Sequence, residues 1–219
     1  MQTTADNIPF INATLQVHCC SFNSIRLELL IPVQEEVKAN YERLLQQGYA
    51  VPFPYWAQIW PAATALSTFL DNHNEYVFGK QVLELAAGLG LPSLVAAATG
   101  AKKVCVSDES EEAVQVLQQV INHNRFNNME SRQLNWHQLP EDCHPDVLLL
   151  SDINYDPVEF DTLFQVLTRF LQKGTLIILS TPQRLLAKPF ISRLMPWCIQ
   201  QENLQVSAIG VSIYVLKQS

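Results

Sequence analysis

The sequence is short of charge, of glycine and of paired cysteines, and each shortage removes a class of protein. Charged residues make up 16% of the 219, against about 25% in an average soluble domain. That suits a sheet covered on both faces, or an apolar patch kept for a partner. Fourteen Lys and Arg stand against twenty-one Asp and Glu, for a net charge of −7. Lys102, Lys103, Arg125, Arg132, Arg184, Lys188 and Arg193 are scattered, so nucleic acid is not an expected partner. The five cysteines (Cys19, Cys20, Cys105, Cys143 and Cys198) form no C-x-x-C and read as reduced thiols of a cytoplasmic protein. Cys143-His144 lacks a second pair, and His18, His73, His123 and His137 have no ligand spacing, so no metal is expected. No apolar run nears the roughly 18 residues of a membrane span. Residues 1–9 show no basic stretch followed by an apolar one, so no signal peptide is expected. Neither G-x-S-x-G nor G-x-x-x-x-G-K-[ST] occurs, which counts against a hydrolase elbow and a P-loop.

What remains has the length of one domain with a sizeable core. An N-terminal extension, 1–54, is set apart from a main domain, 55–219. Segments 15–18 and 24–30 read as two short strands turning at Phe22-Asn23, and 33–47 as a polar helix stopped by Gly48. After the Pro-rich Val51-Pro-Phe-Pro-Tyr55, apolar residues from Ile59 to Leu70 recur at helical spacing. From Lys80 strands and helices alternate. Strands are expected at 82–85, 103–107, 134–136, 146–151 and 175–180. Helices are expected at 91–98, 109–124, 157–170 and 182–197, the last with a break at Pro189. Such alternation makes a mostly parallel sheet with helices on both faces. Two final strands, 198–206 and 211–217, have no helix between them and so pair as an antiparallel hairpin.

The segment Val82-Leu-Glu-Leu-Ala-Ala-Gly-Leu-Gly-Leu-Pro92 carries the chemistry. The chain has only seven glycines, and Gly88 and Gly90 fall directly after a strand, where the backbone can approach a ligand and a helix start offers free N–H groups. Ligands of open α/β sheets sit at such carboxyl ends. Glu84 is a charge in an apolar run that needs a partner, and a ligand amine would supply one. Asp108, eighteen positions after Gly90, can accept both hydroxyls of a ribose. The plainer alternative is a tight turn with Asp108 as a helix cap. A nicotinamide fold would want a glycine where Ser93 stands, and Glu84 suits an amine better than a pyrophosphate.

Three motifs resemble the family-16 methyltransferases, a seven-strand class I group with many protein-lysine methyltransferases. Ile59-Trp-Pro-Ala-Ala63 is similar to its W-P/D-A-A segment, 83–92 to its E-L-G-x-G-x-G-L-P loop, and Asp152-Ile-Asn-Tyr155 to its D-x-x-Y motif. One departure is that Ala86 replaces the loop's first glycine. The resemblance implies a Rossmann-like fold that binds S-adenosylmethionine. Glu84 would meet the methionine amine, Gly88 and Gly90 would let the cofactor pass, and Asp108 would hold the ribose. Trp136, placed at the end of the third strand, would lie near the adenine, and Trp60 would pack along the cofactor. Asp152 and Tyr155 would be the catalytic pair, orienting a neutral amine and walling the site. For both tryptophans ordinary core packing is the alternative, and for Asp152 and Tyr155 a turn and a helix cover. The expected activity is N-methylation of a lysine on a protein substrate, with no metal and no membrane. The rivals are methylation of a small molecule or nucleobase, a non-catalytic binding module keeping the fold, and a nicotinamide-dependent oxidoreductase.

Overall fold

The computed structural model describes residues 10–218; residues 1–9, read above for a leader, lie outside them. β1 (Leu15–Ser21) and β2 (Arg26–Pro32) form an antiparallel hairpin, its turn closed by the Phe22 N–H donating to Ile25 O at 2.9 Å. Helix α1 (Gln34–Gln46) follows. It presents Val37 and Leu44 to a small cluster with Ile11, Val51 and Ala57. Helix α2 (Pro61–Asn72) begins at a proline, which suits a first turn that has no N–H partner in any case.

The main sheet alternates with helices in the expected way. In chain order the elements are β3 (Gln81–Leu85), α3 (Leu91–Ala98), β4 (Lys103–Asp108), α4 (Glu111–Asn124), β5 (Met129–Gln133) and β6 (Val147–Ser151). Then come α5 (Phe160–Gln172), β7 (Leu176–Pro182), α6 (Lys188–Leu194), β8 (Cys198–Val206) and β9 (Ile209–Leu216). The strand order is β5-β4-β3-β6-β7-β9-β8. All pairings are parallel except those of β9 with β7 and β8. A mostly parallel seven-strand sheet closed by an antiparallel C-terminal hairpin is what the pattern predicts.

The two-residue period of a strand decides which side chains meet which helices. Val82 of β3 and Val147 and Leu149 of β6 face α2 and α3. Leu83, Leu85, Leu148 and Leu150 face α5 and α6 on the other side. Leu85, Leu148 and Leu149 are fully buried, and each such side chain contributes about 2 kcal/mol. By the same alternation Glu84 projects toward α3 with the valines. Strand order reverses between β3–β4–β5 and β6, and such a switch point opens a crevice at the strands' carboxyl ends.

Two expectations are corrected. The third strand is Met129–Gln133, not 134–136, and Trp136 opens a single-turn 3-10 helix, Trp136–Gln138. β5 is a partly exposed edge strand, so Met-Glu-Ser-Arg-Gln carries no apolar signature, while Leu134-Asn-Trp only looks strand-like. The chain leaves the sheet where Asn135 Oδ1 accepts from the His137 N–H at 2.8 Å. The stretch 182–197 is not one helix broken at Pro189. β7 runs on to Pro182, and Pro189 stands in the first turn of α6, where a fixed φ favours the helix instead of interrupting it.

Candidate active site

The loop after β3 is built on residues of unusual backbone. Ala86, Gly88 and Gly90 take φ values of 52°, 55° and 68°, the left-handed region that penalises a side chain. A Cβ on Gly90 would stand 2.6 Å from Leu117 Cδ2, and one on Gly88 would stand 3.2 Å from the Trp56 carbonyl oxygen. These two glycines therefore let the loop pass between α4 and the single 3-10 turn Tyr55–Ala57. Ala86 takes such a conformation with a methyl in place. Ala86→Gly should raise stability by about 0.5–1 kcal/mol in urea unfolding, because relief of the left-handed penalty exceeds the added freedom of the unfolded chain; a lower midpoint would show the methyl to be needed for packing.

Asp108 ends β4 beside this loop. Its carboxylate accepts from the Gly88 N–H and from the Ser110 N–H, both at 2.9 Å. Burial pushes its carboxyl upward, and these two donors oppose the shift. Glu84 lies beneath the loop with no exposed surface. Its Oε2 accepts from the Ser93 N–H (3.0 Å) and hydroxyl (2.6 Å), while Oε1 has no partner among the described residues. Burial pushes this carboxyl up to about 8, against the hydrogen bonds from Ser93.

At the other end, Asp152 follows β6 in a left-handed conformation (φ 56°). Its backbone N–H donates to Ser180 O of β7 at 2.9 Å. Both carboxylate oxygens accept from Arg184, whose Nη2 reaches Oδ2 at 3.0 Å and whose Nη1 bonds Oδ1. Tyr155 is exposed and packs at 5.9 Å, centroid to centroid, on Tyr55, which in turn meets Phe53 and Trp60. Trp60 also donates from Nε1 to Tyr55 O at 2.8 Å, and Trp136 donates to Glu159 Oε2 at 3.1 Å.

A cleft of about 1050 Å³ joins the two ends. Trp60, Gly88, Gly90, Asp108, Trp136, Asp152 and Tyr155 all line it; Glu84 lies behind its wall. Among the described residues its other ionisable lining is Glu109, Glu111, Glu112, Tyr55 and one base, Arg184. Three contributors lie outside the motifs described above. Ser93 stands there only as a missing glycine, though a hydroxyl one helical turn past the loop is a candidate partner for Glu84. Tyr55 belongs there to a Pro-rich stretch, and Arg184 to the scattered bases.

The profile of a family described as lysine methyltransferase matches residues 55–195. The chain belongs to this family. Relatives include the histone-arginine methyltransferase METTL23 of Mus musculus, 32% identical over 126 residues that make up 55% of this chain and 49% of that protein. The electron transfer flavoprotein beta subunit lysine methyltransferase of Homo sapiens is 32% identical over 132 residues, 60% of this chain and 50% of that protein. The chain thus spans about half the length of these curated relatives. Among solved structures, the 16S rRNA N2 G1207 methyltransferase RsmC of T. thermophilus superposes with a TM-score of 0.63 at 16% identity, over 96% of this chain and 52% of that one. The ribosomal protein L11 methylase of Lactobacillus delbrueckii gives 0.55 at 19%, over 71% and 79%. The fold is that of a class I methyltransferase, as expected.

Among the described residues no group of three or more His, Cys, Asp or Glu is placed to hold a metal ion, and none of the helices is long and apolar enough to cross a membrane. The five cysteines are free thiols.

Proposed function

We propose that the protein transfers a methyl group from S-adenosylmethionine to a nitrogen of a protein substrate, with a lysine side chain as the favoured acceptor. The observation that carries this reading is the continuous cleft, which has the glycine loop and Asp108 at one end and Asp152 and Tyr155 at the other. The residues suit the cofactor. Gly88 and Gly90 put bare backbone on the cleft wall, and Asp108, on the same wall, can turn its carboxylate to a ribose. The unpartnered Glu84 Oε1 is a buried acceptor suited to an amine, reached directly or through a water. Trp60 and Trp136 supply flat walls. S-adenosylmethionine, when bound, supplies an electrophilic sulfonium methyl group.

The rest of the work is alignment and control of one proton. A free lysine amine titrates near about 10.4, so the site has to take it as the neutral nucleophile. Asp152 accepts an N–H from that amine and turns its lone pair toward the methyl. Tyr155 and Tyr55 form the wall along which an unbranched alkyl chain enters. Holding the two partners in line replaces a bimolecular encounter by a pre-organised one. An open mouth with exposed Phe53, Tyr55 and Tyr155 suits a side chain projecting from a macromolecule better than a small molecule sealed in a closed pocket. Relatives named as histone-arginine methyltransferases support a protein acceptor as well.

The test is transfer of isotope-labelled methyl from S-adenosylmethionine into fractionated lysate. Label is expected in protease-sensitive material, on lysine after hydrolysis. Label confined to small molecules or nucleic acid would overturn the protein acceptor, and label on arginine would overturn lysine.

A further inference from the structure

We propose that Arg184 is a positioning residue of the acceptor subsite: paired with Asp152, it cancels that carboxylate's charge, so that the carboxylate accepts an N–H from an uncharged amine without holding the protonated form. This rests on the reading of Asp152 as the acceptor's partner.

A lone carboxylate at the reacting centre has a drawback for methyl transfer. It attracts the ammonium, which has no lone pair to attack with, and an opposite charge close by raises the pH at which the amine releases its proton. The Asp152 side chain is 8% exposed, so that attraction would be little screened by solvent. The two-point pairing with Arg184 cancels the charge while consuming only part of the carboxylate's capacity. Each oxygen has two lone-pair sites, which leaves room for an N–H from the acceptor. An incoming ammonium would also face the guanidinium, which is 37% exposed and lines the same cleft.

The backbone shows how the pair is held. Asp152 occupies the left-handed region, tied by its N–H to Ser180, and Arg184 sits in the short turn between β7 and α6. The Arg184 N–H donates to Pro182 O at 2.8 Å, and its carbonyl accepts from the Ala187 N–H at 3.2 Å. The charged and phenolic groups that act on Tyr155, three positions on in the same loop, are Tyr55 ahead of α2, Asp156, Asp108 at the end of β4 and Asp152 itself. None of them is a base. Lys188 lies on a smaller adjoining hollow of about 350 Å³ that it shares with Arg184. Without Arg184 the acceptor end would therefore be strongly cation-attracting.

The test uses n-butylamine as the probe, an amine that titrates close to the lysine value of about 10.4. Wild type, Arg184→Leu and Arg184→Lys are titrated by tryptophan fluorescence with S-adenosylhomocysteine present, from pH 7 to 10. Wild-type affinity should rise about tenfold per pH unit, as expected when only the neutral amine is taken. Arg184→Leu should bind the amine at least about tenfold more tightly at pH 7, with little change up to pH 9. Its methyl transfer should fall at least about tenfold at pH 7 and recover toward pH 10, while S-adenosylhomocysteine affinity stays within about twofold. Arg184→Lys should restore most of the wild-type pH profile. A purely structural Arg184 predicts weaker amine binding in Arg184→Leu, and equal or weaker binding overturns the proposal. Absence of amine binding in every variant overturns it too, because a carboxylate freed of its guanidinium would then fail to hold an ammonium. Failure of the underlying reading looks different: Asp152→Asn would keep full transfer.

Discussion

Asp152→Asn should lower methyl transfer by at least about 100-fold and leave S-adenosylhomocysteine affinity within about threefold of wild type. The magnitude follows from what is lost. Removing one pre-organised group that positions or charges a reacting centre typically costs 100- to 1000-fold. Asparagine is the informative replacement because it keeps the shape of aspartate and tolerates the left-handed backbone found here (φ 56°). Alanine would add strain of order 1 kcal/mol. The amide still offers one acceptor oxygen, but it carries no charge and cannot hold both nitrogens of Arg184 in the two-point pairing. Arg184 is partly exposed, so its guanidinium loses a partner without becoming a buried, unpaired charge, and the fold should survive. Full activity in Asp152→Asn would remove the carboxylate from the mechanism. Loss of cofactor affinity alongside activity would mean that Asp152 shapes the whole cleft instead of its acceptor end.

How much of this was readable in the sequence follows from the range over which each feature is set. The sheet was legible because alternation is local: the Val-Leu-Leu-Leu run of β6 and the apolar faces of α4 and α5 declare themselves within a few residues. The closing hairpin was legible because no helical stretch separates 198–206 from 211–217. β5 was not, because a partly exposed edge strand needs no apolar pattern and this one has Glu130, Ser131 and Arg132 at its centre. Pro189 misled because a proline before a helix and a proline within one look alike until the helix start is known. The glycine loop and Asp108 could be found by spacing along the chain. Arg184 could not, since its pairing with Asp152 spans 32 positions and depends on β6 and β7 lying side by side. Ser93 stood in plain view, but its partnership with Glu84 needs the turn at Gly88 and Gly90 to fold α3 back over β3.

Glu84 gives a prediction in which protons report the binding chemistry. Its carboxyl is pushed up from 4.5 to about 8 by burial, so in the cofactor-free protein it stays protonated through neutral pH, whereas in the unfolded chain it ionises in the ordinary acidic range. Between those two values the folded state holds the extra proton, and stability must fall as pH rises across that window, by an amount on the order of a few kcal/mol. Glu84→Gln should therefore flatten the dependence of the urea midpoint on pH between about 4.5 and 8, and should be the more stable protein at pH 8–9. Binding an amine beside Oε1 reverses the preference, because a positive charge at contact distance favours the carboxylate. Binding of S-adenosylhomocysteine at pH 6, where the ligand amine is charged, should thus release close to one proton. Calorimetry in buffers of different ionisation enthalpy reads that number directly. Glu84→Gln should release none and bind at least about tenfold more weakly, since a neutral amide replaces a charge-assisted partner. A wild type that binds without releasing a proton would separate Glu84 from the amine and leave its pairing with Ser93 as a purely structural tie between β3 and α3. Proton release that persists in Glu84→Gln would move the titrating group to Asp108, the other carboxyl beside the loop that burial pushes upward.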